Sequence, residues 1–413
     1  MTVVEPVGSV RWKYLVVAAV ALAFALKVAV ALNTYGSNDV ITWERHLAKI
    51  KDDGGAAWYR DGADIHGPDG RRLGVQSANH PPLVIHMLLA WDCLAHLTGL
   101  PFRFWLRLTS SLADIGSLIL VSFCLIGAGM PVQPGAMLLI ALSPVSIMVS
   151  AFHGNTDPVM MFFVLLSIWV VQSEGSAWVS GAAIGVALSI KIVPIIFAPA
   201  FLLYLPAMRR RIEFTVATAA VFMGTSLPYL TQDPALLVQR IFGYSSTPAA
   251  WGVSQMGFVF LPKEVYGLYM AVGKAIAVLI ILLTSFWMNR GGRKPALFLQ
   301  CGCIAFLFLF FTPGFAVQYL AWLVPWGFNL RSKRVLSYYA TSAAFLFGCY
   351  TWWSGGFPWF LANSFERRES FWWGFLVFSL GLMCWVSVGA VAHETLRALA
   401  AWKTRFSAVS RVP

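Results

Sequence analysis

Long runs of apolar residues, separated by short polar segments, make up most of the chain. A helix needs about 20 consecutive apolar residues to cross a bilayer, whereas the strands of outer-membrane barrels alternate polar and apolar positions. The runs here are continuous, so the pattern predicts an all-α polytopic membrane protein with about 12 transmembrane helices. The predicted spans are 12–32, 105–127, 134–152, 158–173, 177–190, 192–206, 212–230, 265–288, 296–311, 317–329, 334–353 and 370–392.

One segment, 81–100, is long enough to span but contains His86, Asp92 and His96. Counting it as a span divides the basic clusters of the chain between the two sides of the membrane. Treating it as a re-entrant or interfacial helix in the first outer loop puts all of those clusters on one side, as the positive-inside rule favours. We therefore expect the second arrangement, with both termini cytoplasmic.

The apolar run 177–206 is too long for a single crossing. As one helix its 30 residues would extend about 45 Å, against roughly 30 Å of hydrocarbon. Lys191 and Pro194 interrupt the run near its middle. We expect two short spans that meet at the outer face.

The composition supports a membrane protein. Hydrophobic residues make up 58% of the chain and charged residues 12%, whereas soluble proteins carry roughly 25% charged residues. The net charge of +12 comes largely from clusters between apolar runs, which indicates a cytoplasmic membrane face and no nucleic-acid partner. These clusters are Arg11 with Lys13, Arg209-Arg210-Arg211, Arg290 with Arg293 and Lys294, Arg331 with Lys333 and Arg334, and the C-terminal Arg397, Lys403, Arg405 and Arg411.

The polar chemistry of the chain is expected on the outer side, where 13 of the 18 acidic residues fall. We expect one integral membrane domain over 1–413. Its parts are an N-terminal catalytic module, 1–206, with the outer loop 33–104, and C-terminal helices, 207–413, with the outer loops 231–264 and 354–369. Inside the bundle, Arg107 and Asp114 lie two helical turns apart and are expected to form a structural pair.

Asn38 and Asp39, at the start of the first outer loop, are the first candidates for chemistry. Asp39 lies just beyond the first span, and a carboxylate there could take the proton of an acceptor hydroxyl. Either residue could instead cap an amphipathic helix that runs through Trp43 and Leu47. Both interpretations stay open at this point.

Two other outer segments place histidines and an acid beside apolar helices. His80 precedes Pro81-Pro82, where it either faces a polar head group or marks a plain helix start. His153 and Asp157 lie between two apolar helices. Asp157 is well placed as a helix cap, but ionisable groups at membrane depth are also functional candidates.

Three further side chains could contact a donor on the same side. Lys191 either extends to the interface or binds a phosphate as a point charge. Arg240 could bind phosphate bidentately or be a solvated loop residue, and Gln318 could bind sugar hydroxyls or another helix. Single histidines and scattered acids do not form a metal-ligand spacing, so we expect no metal and no cofactor.

In this order the segments resemble those of GT-C glycosyltransferases that use sugars linked to polyprenol or dolichol phosphate. The resemblance covers nearly the whole chain. Gln318-Tyr319 stands where the glucosyltransferases of that family have a His-rich motif, which makes the chain more similar to the mannosyltransferase branch. The similar segments are Asn38-Asp39, Pro81-Pro82-Leu83, Arg107 to Asp114, Ser143-Pro144 with His153-Gly154-Asn155 and Asp157, Ser189 to Pro194, Arg240-Ile241-Phe242, and Gln318 to Pro325.

The resemblance implies inverting transfer of a hexose, with mannose preferred, from a polyprenyl-phosphate donor to a lipid-linked or surface glycan acceptor. It implies that Asp39 is the catalytic base and that Lys191 and Arg240 face the leaving phosphate. The remaining candidates would line the substrate pocket: Asn38, His80, His153, Asp157 and Gln318. The site would face the outer side of a bacterial inner membrane, or the lumen of the endoplasmic reticulum as the alternative.

A transporter or flippase of a lipid-linked or polar solute is the alternative function. It would explain many spans and ionisable residues at membrane level. Transporters often contain internal repeats with paired broken helices, and the sequence shows no obvious repeat. A scaffold or receptor would give no reason for the polar candidates to converge on one face.

Overall fold

The structure, a computed structural model, describes residues 10–66, 72–243, 246–248, 251–291, 294–354, 359 and 371–409. The predicted all-α class is confirmed, with only two short strand pairs in these ranges. The α-helices are α1 Val10–Asn33, α2 Asn38–Asp61, α3 Leu83–Thr98, α4 Phe102–Gly127, α5 Pro134–Ala141, α6 Pro144–Ile147, α7 Asp157–Gln172, α8 Ala177–Ile190, α9 Ala198–Tyr204, α10 Met208–Leu230, α11 Pro234–Phe242, α12 Gly252–Phe260, α13 Lys263–Asn289, α14 Leu297–Phe311, α15 Lys333–Ser354 and α16 Phe371–Val409. The strands are β1 Ala63–His66, β2 Arg72–Gln76, β3 Thr247–Pro248 and β4 Gly314–Phe315.

Several helices are suited to a membrane, and the protein is a multi-pass integral membrane protein. Five segments among the described residues are long and apolar enough to cross a bilayer, and five more apolar helices have 10–17 residues. The total of about 12 crossings stays a prediction. The five long segments are Tyr14–Asn33, Phe102–Gly127, Pro134–His153, Lys263–Asn289 and Phe371–Thr404.

The predicted span 134–152 is not one regular helix. α5 ends before Ser143, whose side chain accepts from the backbone of Ser146 and caps α6. Proline at position 144 cannot donate a backbone hydrogen bond, so the helical ladder of α5 is interrupted there. A π-helical turn, Met148–His153, then ends at Gly154 in the left-handed region (φ 74°). This irregular end sets the position of His153.

The predicted break in the run 177–206 is confirmed. α8 ends at Ile190, and Lys191 has an extended backbone (φ −152°, ψ 137°). A 3-10 helix, Val193–Phe197, leads into α9. The predicted span 317–329 also differs from a regular α-helix, because the structure has a 3-10 helix, Val317–Trp326, with a proline inside it.

The predicted first outer loop, 33–104, contains α2, the antiparallel hairpin of β1 and β2, and α3. The expected amphipathic helix through Trp43 and Leu47 is present as α2. Its cap is Ser37, which accepts from the backbone N–H of Asp39 at 3.2 Å, so the capping interpretation of Asn38 and Asp39 is wrong. Residues 81–100 do contain a helix, α3, and its placement relative to the membrane stays a prediction.

The expected pairing of Arg107 with Asp114 is wrong. Arg107 is fully buried and donates to the carbonyl oxygens of Ala31 (2.6 Å) and Thr34 (2.9 Å) at the end of α1. Asp114 instead forms an ion pair with the buried Lys27 of α1. Both α4 side chains therefore join α4 to α1, and their structural role is as expected.

The structure describes most of the predicted outer loop 231–264 and little of the predicted outer loop 354–369. Loop 231–264 contains α11 and α12. The predicted outer loop 354–369 lies outside the described residues, apart from Ser354 and Trp359.

Candidate active site

Asp39, the second residue of α2, is the centre of a polar cluster. Its Oδ2 atom lies 2.9 Å from His153 Nε2 and accepts from Asn155 Nδ2 at 2.9 Å. His153 and Asn155 are buried, whereas 39% of the Asp39 side chain is exposed. Both contacts are made to one oxygen, so Oδ1 has no hydrogen-bond partner among the described residues.

The backbone around this cluster is fixed from both sides. Ser37 Oγ donates to the carbonyl oxygen of His153 at 2.6 Å, which joins the start of α2 to the end of the π-helical turn. Gly36 and Gly154 both have positive φ values, 106° and 74°. A Cβ atom at either glycine would lie within 2.5 Å of the Val40 side chain, so close packing of these two turns requires glycine.

Tyr350 extends the cluster into the bundle. Its hydroxyl group lies 3.0 Å from His153 Nδ1, and the side chain is 1% exposed. Sequence reasoning did not identify this residue. It lies in the apolar run of α15, where an aromatic side chain most often serves packing, and no sequence signal separates it from its neighbours.

Asp157 and Lys191 form a second, fully buried pair. Lys191 Nζ donates to both carboxylate oxygens of Asp157 at 2.9 Å. Exposure is 9% for the Lys191 side chain and 0% for that of Asp157. The predicted extension of Lys191 to the interface is therefore wrong. Asp157 is the first residue of α7, as expected for a helix start, but its carboxylate binds Lys191.

Aromatic groups surround this ion pair. Trp322 Nε1 donates to Asp157 Oδ1. Lys191 Nζ lies 4.9 Å from the ring centroid of Tyr319 and 5.6 Å from that of Trp322. A cation over aromatic faces is stabilised by their quadrupoles, so the 3-10 helix Val317–Trp326 helps to hold the ammonium group. Tyr319 and Trp322 lie in the segment Gln318 to Pro325, but the sequence did not predict them as site residues.

His80 lies next to the ion pair and is neutral. Burial and the charge of Lys191 lower the pKa of His80 to about 3. Its Nδ1 atom lies 3.3 Å from the carbonyl oxygen of Ile190. A carbonyl can only accept, so Nδ1 carries the proton and Nε2 is a hydrogen-bond acceptor. This arrangement suits a sugar hydroxyl and excludes His80 as a donor from Nε2 to phosphate.

His46, which lies on α2 with Asp39, is a second neutral histidine. Trp58 Nε1 donates to His46 Nδ1 at 2.6 Å, and burial lowers the pKa of His46 to about 4. Trp43, between the two histidines, has its ring centroid 4.9 Å from that of His80. Its indole N–H is buried without a partner in the described part of the chain.

Asp39 is ionised at neutral pH. Burial alone would raise its pKa. The neighbouring His153 and Asn155, with the charge of Lys191, outweigh burial and hold the pKa of this carboxyl below its usual value. The charge of Lys191 acts on Asp39 electrostatically, so the two polar clusters belong to one site.

The other candidates lie at the edge of this site or away from it. Asn38 is exposed beside Asp39, and Gln318 is half-buried next to Tyr319. Arg240 donates from Nε to the carbonyl oxygen of Tyr59 and from Nη2 to that of Arg60, both at 3.0 Å. Its described bonds therefore hold the end of α2, and none of them reaches Asp39 or the ion pair.

Two negative findings concern the described residues. No group of three or more His, Cys, Asp or Glu side chains in these ranges is arranged to hold a metal ion. A cavity of about 450 Å³ between α13 and α16 contains none of the predicted site residues. Its lining is Leu283, Thr284, Trp287, Leu396, Arg397 and Ala400.

Comparison with known proteins identifies a family and a distant structural likeness. The model of glycosyltransferase family 87 matches residues 81–313, just over half of the chain, a range that includes Lys191 but not Asp39. No curated protein matches the sequence. The crystal structure of ArnT from Cupriavidus metallidurans in the apo state is similar over 93% of this chain and 77% of that chain, with 14% identity and a TM-score of 0.47. A likeness this distant identifies neither substrates nor site residues.

Proposed function

Since the chain belongs to glycosyltransferase family 87, we propose that it is an inverting glycosyltransferase in which Asp39 is the general base. Family membership confirms the predicted enzyme class, a GT-C glycosyltransferase with a lipid-linked sugar donor. It also removes the support for a transporter or flippase. Beyond the enzyme class, we propose that Asp39 is the base and that the donor is a hexose on polyprenyl phosphate, with mannose preferred. The proposed acceptor is a glycan or glycolipid at the outer membrane face.

The observation that supports this role is the asymmetry of the Asp39 carboxylate. Oδ2 is held by His153 and Asn155, while Oδ1 has no partner among the described residues and the side chain is partly exposed. An acceptor hydroxyl can donate its proton to Oδ1 without displacing either neighbour. The base is thus oriented before the substrate binds, which is the condition for efficient proton transfer.

The proposed transfer is a single displacement. The acceptor oxygen attacks the anomeric carbon as its proton moves to Asp39 Oδ1, and the bond from that carbon to the phosphate oxygen breaks. The configuration inverts, and polyprenyl phosphate leaves with the bonding electrons. Because the pKa of Asp39 is held low, the carboxylic acid formed in the reaction loses its proton readily to water and the base is restored.

Lys191 is the proposed partner of the leaving phosphate. Two of its three N–H groups donate to Asp157, which leaves one for a phosphate oxygen. Its charge would stabilise the negative charge that develops on the leaving group. His80 Nε2 accepts from a sugar hydroxyl in this arrangement, and Asn38 and Gln318 remain proposed substrate contacts. Arg240 is not part of this arrangement, since its described bonds hold α2.

The test uses purified protein with polyprenyl-phosphate mannose, glucose, arabinose or galactose and a crude lipid extract as acceptor. Mass spectrometry follows donor consumption for wild type, Asp39→Asn and the control Asp64→Asn, an exposed acid of the same outer loop. Loss of a general base costs about 10²- to 10⁴-fold in rate. We expect that loss in Asp39→Asn and wild-type turnover in Asp64→Asn. Wild-type turnover in Asp39→Asn would refute the proposed role.

A further inference from the structure

Tyr350 has an unusual position for a residue of an apolar helix. Its hydroxyl group contacts the ring nitrogen of His153 that faces away from Asp39, at 3.0 Å. The other ring nitrogen lies 2.9 Å from Asp39 Oδ2. The three side chains therefore form a continuous chain of hydrogen bonds from the bundle interior to the partly exposed carboxylate.

The proton positions in this chain follow from the chemistry of its ends. An ionised carboxylate can only accept, so a hydrogen bond to Asp39 requires a proton on His153 Nε2. In its neutral form the ring carries only this N–H, and Nδ1 is then an acceptor. A tyrosine hydroxyl keeps its proton near neutral pH and donates it to Nδ1. Each group then has the partner it needs.

The surroundings of His153 restrict the position of its ring. The carbonyl of His153 is held by Ser37, and the ring is 2% exposed. If Nδ1 carried the proton instead, the bare Nε2 lone pair would face the carboxylate and repel it. The Tyr350 hydroxyl can donate to or accept from Nδ1, so the carboxylate selects the Nε2–H form and Tyr350 fixes the orientation of the ring.

We propose that Tyr350 is a positioning residue that holds the ring of His153 in place through Nδ1, so that Nε2 stays in contact with Asp39 and keeps its carboxylate ionised and correctly oriented. The inference rests on the proposed role of Asp39 as base. Tyr350 does not touch substrate or the reacting atoms. The other titratable or charged groups that act on Asp39 are Lys191, His46 and His80, and none of them changes in the variants below.

The experiment compares Tyr350→Phe with Tyr339→Phe, each of which removes one phenolic hydroxyl from α15. Tyr339 is also buried, but its hydroxyl donates to the backbone carbonyl of Val324 at 3.1 Å. Kinetic constants with the polyprenyl-phosphate donor, the acidic limb of the pH–rate profile and the melting temperature are measured for each variant. A hydrogen bond from Tyr350 that stabilises the transition state by roughly 1.4 kcal/mol would slow transfer about tenfold when it is removed.

We expect Tyr350→Phe to lower kcat about tenfold with little change in donor KM. The acidic limb should move to higher pH by up to about one unit, because Asp39 loses part of the stabilisation of its charged form. Tyr339→Phe should leave kcat and the limb unchanged. An unmoved acidic limb in Tyr350→Phe, with or without a lower melting temperature, would overturn the inference.

A second comparison tests whether Tyr350 acts through His153. The side chain in His153→Gln has no ring for Tyr350 to orient, so adding Tyr350→Phe to that background should not move the acidic limb further. A further shift of the same size would show that Tyr350 acts by another route and would overturn the inference. Asp39→Asn is measured in parallel: turnover in that variant refutes the proposed function, whereas an inactive Asp39→Asn with an unmoved limb in Tyr350→Phe refutes only the role of Tyr350.

Discussion

The buried pair of Lys191 and Asp157 allows donor binding and folding to be separated by mutation. In Lys191→Met the carboxylate of Asp157, 0% exposed, keeps only the indole N–H of Trp322 as a described partner. Removing one member of a buried ion pair costs about 3–5 kcal/mol, because the remaining charge is left uncompensated. We therefore expect Lys191→Met to lower the melting temperature of the purified protein clearly.

The double variant Asp157→Asn/Lys191→Met removes both charges together. Asparagine keeps an Oδ1 acceptor for Trp322, and replacing both members of a buried pair is often close to neutral for stability. We expect its melting temperature to approach that of wild type. If Lys191 contacts the leaving phosphate, kcat/KM for the donor should still fall about 10- to 150-fold, the effect of losing a charge-assisted hydrogen bond of about 1.5–3 kcal/mol.

The assay measures donor consumption by mass spectrometry beside thermal unfolding in the same detergent. Lys49→Met is the control, since the Lys49–Asp53 pair is partly exposed and exposed ion pairs contribute little to stability. A double variant that folds and transfers at the wild-type rate would show that Lys191 only balances the charge of Asp157. A single variant as stable as wild type would refute the energetic argument.

Three further predictions concern the rest of the site. Arg240→Gln should lower stability by about 1–3 kcal/mol through loss of the contacts with α2, and leave donor KM within about twofold; a large rise in KM at unchanged melting temperature would place Arg240 at the phosphate instead. In a Cys93→Ser background, chosen because Cys93 is the exposed native cysteine, Asn38→Cys should react with an impermeant thiol reagent in intact cells; labelling only after lysis would place α2 on the inner side. Chelators should leave transfer intact, and a loss of activity restored by Mg²⁺ or Mn²⁺ would show a metal requirement.

Local features of the sequence predicted where helices break and which residues could form polar clusters. The apolar run 177–206 had to break, because it exceeds the bilayer thickness and contains a lysine and a proline, and the structure breaks it at Lys191. The amphipathic pattern after Asp39 predicted a helix, which is present as α2. Asp39, His153 and Asp157 were chosen because they are ionisable groups beside apolar segments, and all three lie in the polar clusters.

The partners of the polar side chains were predicted less well, because they depend on which helices are neighbours in the bundle. Asp114 pairs with Lys27 and not with Arg107, since α1 packs against α4 and Arg107 is used at the end of α1. The residue pair Tyr350 and His153 is separated by 197 positions. A tyrosine in an apolar helix gives no sequence signal for such a contact.

Hydropathy and proline act within about 20 residues, so short stretches of sequence are enough to indicate a helical membrane protein. They also indicate where its main helices are interrupted and which ionisable residues fall at the ends of apolar segments. Which polar groups meet depends instead on how the helices pack. A buried charge in a low-dielectric bundle needs a partner, but helix packing selects that partner: Asp157 for Lys191, His153 for Asp39, and the end of α2 for Arg240.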